Sequence, residues 1–310
     1  MAIQIDGIVQ NRRATADEYT AVNPTLIDGE LAYESDTLKS KWGDGVTDWN
    51  NLDYASSGSG SGSTAPNALS LQKQTGILIP LYVYPADIYN DTTVYGKVFD
   101  VARKNKEIPI IIIMNVNNGP GTAYDANWAG AIKKSVGAGV IPVGYVYSLY
   151  GLRPIAEAKA DIDKWIELYP EIQGIFVDEQ WWDDDERVDW YREVVEYANN
   201  LGLSITIGNP GDQSHNVYSE IFDIVVCWET DAVGPSQSVM EGNWIGGATE
   251  VSLFKRGYMK IGAATYDAAF HTEVCKWYGF IYVTSDIMSP NPWDSLSSYM
   301  DNMVTTILNQ

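Results

Sequence analysis

The sequence predicts an α/β protein, a (β/α)8 barrel preceded by a small, mostly-β N-terminal domain. Two observations predict the barrel. Strand-like and helix-like segments alternate eight times in about 230 residues, the size and rhythm of that fold. Two of the strands, Gly174-Ile175-Phe176-Val177-Asp178-Glu179 and Asp223-Ile224-Val225-Val226-Cys227-Trp228-Glu229, are continuous apolar runs ending in carboxylates. Such runs are expected where a parallel strand is covered on both faces. The domain boundary rests on a third observation, the run Ser56-Ser57-Gly58-Ser59-Gly60-Ser61-Gly62-Ser63-Thr64, whose composition is that of a flexible linker.

Residues 1–55 hold short β-like runs at 3–9 and 31–33, punctuated by the turn signals Asn23-Pro24, Asp28-Gly29 and Gly43-Asp44-Gly45. Ten acids and four bases give this segment a charge of −6. It is too short for a large core of its own, so trimerisation or docking on a larger assembly is expected to support it. A linker at 56–75 follows, and the barrel occupies 76–310. Its strands are expected at 77–84, 110–114, 140–147, 174–178, 203–207, 221–228, 258–263 and 280–284, with helices between them at 127–136, 154–169, 186–201 and 266–278 and a last one at 293–308. Pro154 sits just inside one helix start and Gly202 just beyond a helix end, the usual punctuation. The last helix spaces Trp293, Leu296, Met300, Met303, Val304 and Ile307 along one face. An open doubly wound sheet is the competing topology. No GxGxxG or P-loop stands at a strand-helix junction, and eight units close naturally.

Composition narrows the partners. With 41 acids against 20 bases the chain carries a formal charge of −21, which disfavours nucleic acid and anionic membranes. A neutral or amino-sugar-containing polymer is easier to reconcile with that charge than a polyanion. No stretch of 18 apolar residues and no basic-then-apolar start is present, so neither a membrane span nor a signal peptide is expected. Cys227 and Cys275, the two cysteines, fit buried thiols in a protein made in the cytoplasm. His215 and His271 lie far apart and form no HExxH, so no catalytic metal is indicated; no cofactor motif and no Gly-x-Ser-x-Gly elbow occurs. The run Asp183-Asp184-Asp185-Glu186 lacks EF-hand spacing and is expected to favour a helix N-terminus instead.

In a parallel barrel the chemistry collects at the strand C-terminal ends. Asp178 and Glu179 after strand 4 and Glu229 after strand 6 are therefore expected to face one cavity as catalytic carboxylates. Glycoside cleavage uses one carboxylic acid to protonate the leaving oxygen and a second carboxylate as nucleophile or base. The competing role for strand-end acids is helix capping or pairing with Arg and Lys. Tyr84, Asn115, Asn117, Tyr147, Asn209, Tyr266 and Asp286 lie at or past strand ends and are expected to orient substrate, while Trp181, Trp182 and Trp228 either stack on sugar rings or pack the rim.

The barrel half resembles the spherulin-4-like family, related to glycoside hydrolases that cut galactosamine-containing polysaccharides. The likeness rests on Ile79-Pro80-Leu81-Tyr82-Val83-Tyr84-Pro85, Ile113-Met114-Asn115-Val116-Asn117-Asn118-Gly119-Pro120-Gly121, Gly144-Tyr145-Val146-Tyr147 and Gly174 to Glu179. It implies that Asp178, Glu179 and Glu229 are the catalytic candidates. Residues 1–55 resemble the attachment domain of phage tail-fibre proteins, through Arg12-Arg13-Ala14-Thr15-Ala16-Asp17-Glu18-Tyr19, Pro24 to Tyr33 and Lys41 to Trp49. The two resemblances together imply a phage tail fibre or tailspike on the virion, a trimer docked on tail or baseplate proteins through residues 1–55, whose barrel depolymerises a bacterial surface polysaccharide during host adsorption. Glu179 is expected as general acid/base, Glu229 as nucleophile and Asp178 as electrostatic support, with attack by a substrate N-acetyl group as the other route. A noncatalytic receptor-binding fibre with a lectin cleft, or a structural decoration protein, are the alternatives.

Overall fold

Apolar residues on both faces of short strands require helices on both faces of an open sheet or a sheet closed on itself inside a ring of helices, and here the sheet closes. The computed structural model describes residues 12–27, 30–34, 37, 39–52, 74–87, 90, 92–241, 244–245 and 251–310. Its chain divides into two compact units, Met1–Pro66 and Asn67–Gln310. The strand expected at 3–9 and the Gly/Ser run at 56–64 lie outside the described residues.

The second unit is a closed barrel of eight strands, β1 (Gly76–Leu81), β2 (Ile110–Met114), β3 (Val140–Tyr147), β4 (Gly174–Asp178), β5 (Ile205–Asn209), β6 (Ile224–Thr230), β7 (Arg256–Lys260) and β8 (Phe280–Val283). They pair in sequence order, every pair parallel, and β8 returns to β1 through Phe280 opposite Gly76. Helices follow each strand: α1 (Val94–Lys104), α2 (Ala126–Ala138), α3 (Ile155–Leu168), α4 (Val188–Asn200), α5 (Tyr218–Ile221), α6 (Gln237–Glu241), α7 (Ala268–Val274) and α8 (Met300–Leu308). This is the (β/α)8 fold that the alternation predicts.

Register carries the site. Tyr147 of β3 stands opposite Asp178 of β4, and Asp178 opposite Asn209 of β5. Two details lock these strands to the helices outside. Gly144 on β3 has no Cβ because one would lie 2.6 Å from the Trp165 indole of α3, whose Nε1–H donates to the Tyr145 carbonyl at 2.9 Å. On β6 the pairing with β7 shifts between Val226 and Trp228, a bulge just ahead of Glu229, and bulges re-aim the side chains that follow them.

Some boundaries differ from expectation. Strands β5 and β6 run two residues further than the apolar run, because Asn209 and Glu229 continue the ladder on the polar mouth. Helix α8 starts at Met300 rather than 293. Before it, Asn291 Oδ1 accepts from Trp293 N–H and Ser297 Oγ from Tyr299 N–H, local bonds that compete with helix formation. Both cysteines are free and buried.

The first unit holds a three-stranded sheet in which Leu31–Glu34 pairs in parallel with Arg12–Ala14 and antiparallel with Ser40–Trp42. Its helix Ala16–Val22 opens on a capping box between Thr15 and Glu18. The core consists of Tyr19, Leu26, Ala32 and Trp49, with Tyr19 stacked on Trp49 at 4.0 Å. Among the described residues no helix is long and apolar enough to cross a membrane.

Candidate active site

The amide of Asn209 is the centre of the barrel mouth. Its Nδ2 donates to Asp178 Oδ1 at 2.8 Å and to Glu229 Oε2 at 2.6 Å. One amide nitrogen has two hydrogens, and here each goes to a different carboxylate. The orientation is set from the other end, since Asn209 Oδ1 accepts from Gly211 N–H at 3.1 Å. Gly211 in turn offers its carbonyl to Glu229 N–H at 3.0 Å, so the loop after β5 ties Asn209 and Glu229 together through backbone as well as side chain.

The two carboxylates differ in their donors. Asp178 also accepts the Tyr145 hydroxyl at 2.8 Å on Oδ2 and the Glu179 backbone N–H. Burial raises its pKa, while these three donors oppose the rise by favouring the carboxylate. Glu229 has Asn209 and the indole of Trp293 as its donors. Burial first, and then the charge of Asp178, push Glu229 up to about 7. Three donors favour the Asp178 carboxylate and two that of Glu229, so of the two coupled acids Glu229 is the more readily protonated.

Glu179 lies beside them. Burial and the negative charge of Asp178 raise its pKa, and the Tyr147 hydroxyl, which donates to it, opposes that rise. Tyr147 is therefore joined to the acid cluster, and its ring also packs 5.9 Å from the Arg153 guanidinium. Trp181 and Trp182 follow after Gln180, their rings 5.2 Å apart, with Tyr150 edge-on to Trp182 at 6.2 Å. Trp181 Nε1–H donates to Asp184 Oδ1 at 2.9 Å. Asp184 also accepts from Glu186 N–H, and α4 begins only at Val188, so the acidic run shapes a turn before the helix rather than capping it.

Other residues expected at the site are engaged elsewhere. The Tyr84 hydroxyl donates to Asp125 and accepts from Asn127, and its ring meets Trp128 edge-on, all at the start of α2. Asn115 accepts Gly119 N–H in its own loop, and Asn117 is exposed. Tyr266 stacks on His271 at 4.5 Å and donates to Thr306 of α8 at 3.0 Å. Asp286 accepts from Ser295. Trp228, half-buried beside Glu229, has an indole N–H that finds no partner among the described residues.

Three residues of the site escape the sequence reading. Tyr145 and Tyr82 lie beneath the acids, their rings edge to face at 5.9 Å, and the charges of Asp178 and Glu229 add to the burial that raises the Tyr82 phenol. Tyr145 shares the inward face with Tyr147 because it is two residues earlier on a strand. Trp293 has the spacing of a helix-face residue in the sequence, yet its indole donates to Glu229. Among the described residues no cluster of His, Cys, Asp and Glu is arranged to hold a metal.

The closed parallel barrel is a (β/α)8 fold, and hydrogen-bonded carboxylates stand at its C-terminal mouth. Residues 76–307 match the model of spherulation-specific family 4, and the chain belongs to that family. Spherulin-4 of Physarum polycephalum is 28% identical over 241 residues, covering 74% of this chain and 69% of the relative. The crystal structure of Aspergillus clavatus Sph3 in complex with GalNAc superposes with a TM-score of 0.62 at 20% identity, covering 76% of this chain and 97% of that one. These findings overturn the reading of the chain as a phage tail fibre or tailspike resident on a virion. The family that matches is a spherulation-specific one, and the relative described above is a protein of Physarum polycephalum.

Proposed function

We propose that the barrel hydrolyses a glycosidic bond in a polysaccharide by a retaining mechanism, with Glu229 as acid/base and Asp178 as nucleophile. The observation that carries this reading is the shared Asn209 amide. Two bonds of 2.8 and 2.6 Å to one nitrogen keep the two bonded oxygens no more than about 5.4 Å apart, an upper limit that favours the ~5–5.5 Å carboxyl separation of retaining enzymes over the ~6.5–9.5 Å of inverting ones. The role first given to Glu179 passes to Glu229 because that acid holds the proton near neutral pH.

In the first step Glu229 gives its proton to the glycosidic oxygen as Asp178 attacks the anomeric carbon, breaking the bond to the leaving sugar. In the second, Glu229 as carboxylate takes a proton from water, which displaces Asp178 and regenerates both groups. The Tyr145 hydroxyl and Asn209 favour the Asp178 carboxylate against its burial and aim it. Glu179 and Tyr147 are placed to bind sugar hydroxyls or an amino group, and Trp181 and Trp182 to stack on ring faces. The Sph3 barrel was solved with GalNAc, and the charge of −21 is easiest to reconcile with a neutral or amino-sugar polymer; a galactosamine-containing glycan is the proposed substrate.

Reducing-end release from a panel of galactosamine polymers and other microbial exopolysaccharides tests the proposal. Wild type is expected to release ends, and Glu229→Gln and Asp178→Asn to release none while keeping the wild-type circular dichroism spectrum. Binding without cleavage by every form would make the mouth a lectin site.

A further inference from the structure

We propose that Ser148 and Tyr191 are positioning residues that hold the Asp178-Glu179 backbone, and with it the carboxylates of the nucleophile Asp178 and of Glu179, in the pose the site uses. Glu179 has φ = +52°, the left-handed region that a residue with a Cβ seldom occupies. Such a conformation persists only where its surroundings over-determine it. Here the surroundings are specific. The Glu179 carbonyl accepts Tyr150 N–H at 2.8 Å and the Ser148 hydroxyl at 2.6 Å. The same hydroxyl lies 2.7 Å from the Asp178 carbonyl, which also accepts Ser148 N–H at 3.2 Å.

The protons of this group can be followed individually. The single Ser148 hydroxyl hydrogen is shared between two consecutive carbonyls. Its oxygen is then free to accept from the Tyr191 hydroxyl, 3.3 Å away. The Tyr191 oxygen in turn accepts Trp181 N–H at 2.7 Å. The relay grips the strand end on both sides of Glu179, at the Asp178 carbonyl before it and at the Trp181 N–H two residues after it. Ser148 and Tyr191 are fully buried, and burial pushes the Tyr191 phenol up to about 12, so it stays a donor at every working pH. The segment that supplies the grip is itself left-handed at Leu149, Tyr150 and Gly151, with φ of 51°, 56° and 74°. Neither Ser148 nor Tyr191 reaches the carboxylates, so their effect on chemistry is exerted through the backbone.

Ser148→Ala and Tyr191→Phe remove one hydroxyl each and keep the packing. This inference rests on the hydrolase reading, so two independent readouts are needed. With a cleavable glycan, each variant is expected to lose at least tenfold in kcat with KM changed less than threefold. A merely structural role would instead lower the melting temperature with kcat and KM preserved. Amide hydrogen exchange needs no activity: Tyr191→Phe is expected to speed exchange of Trp181 N–H at least tenfold and Ser148→Ala that of Tyr150 N–H, with Ile175 and Phe176 unchanged. Unaltered exchange at both amides would overturn the positioning role. Failure of wild type to cleave any glycan would sink the hydrolase reading alone, and the exchange result would still decide this one.

Discussion

The two halves of the barrel rim are built from the same kind of strand yet treat their polar residues in opposite ways. Along β3 to β6 the side chains of Tyr145, Asp178, Asn209 and Glu229 converge on one another. After β7 and β8, Tyr266 and Asp286 turn to their own surroundings, one to His271 and Thr306, the other to Ser295. Proximity to a strand end does not make a site residue. For a ladder residue alternation fixes the direction of the side chain; beyond the ladder local partners set it, which brings Glu179 and Trp293 to the acids and takes Tyr266 and Asp286 away from them. Asp178, Asn209 and Glu229 are ladder residues, and Tyr266 and Asp286 are not.

The largest effects are expected on the convergent side. Glu229→Gln and Asp178→Asn should each lower kcat/KM by about 10²–10⁴-fold, read by reducing-end release, because each removes one proton-transfer or bond-forming partner. Asn209→Ala comes next, with a loss of about 10–100-fold. It removes the donor common to both acids and leaves them to repel, so the Glu229 pKa should rise further above 7, moving the alkaline limb of the kcat/KM profile to higher pH. In wild type that limb should fall through about pH 7, as Glu229 loses the proton it must donate.

The same residue gives a stability prediction with a definite sign. The folded pKa of about 7 lies above the ordinary 4.5, so the folded state binds the proton more tightly than the unfolded chain. The contribution of Glu229 to stability is then fully present below pH 4.5 and is lost as pH rises from 4.5 through 7. Glu229→Gln removes that dependence, and at pH 8 it should unfold at a higher denaturant concentration than wild type, by about 1–3 kcal/mol. The inactive variant is thus expected to be the more stable one. The smallest effect belongs to the other half of the rim. Tyr266→Phe should leave kcat/KM within about twofold and lower stability by about 1 kcal/mol through the lost bond to Thr306.

Much of this arrangement is legible in the sequence, for an identifiable reason. A strand that is apolar until its last residue announces both its burial and the polar mouth at its end, as 174–179 and 223–229 do. Tyr145 and Tyr82 are hidden because a tyrosine inside an apolar run reads as core, and only the register to β4 places it under Asp178. Trp293 is hidden for a different reason: its spacing with Leu296 and Met300 imitates a helix face, while Asn291 and Ser297 hold that segment out of the helix. The strained φ of Glu179 leaves no mark on the sequence at all. The tail-fibre reading joined one family likeness to another, and the family matched over 76–307 and its Physarum relative replace it.

The pairing of Asp178 with Glu229 through one amide is most directly tested by proton NMR of the anomeric centre during the first minutes of glycan cleavage. Release of a product with the anomeric configuration of the bond that was cut is predicted, since the two carboxylates are too close to admit a water between substrate and base. An initially inverted product would contradict the assignment of Asp178 as nucleophile and with it the central role given to Asn209.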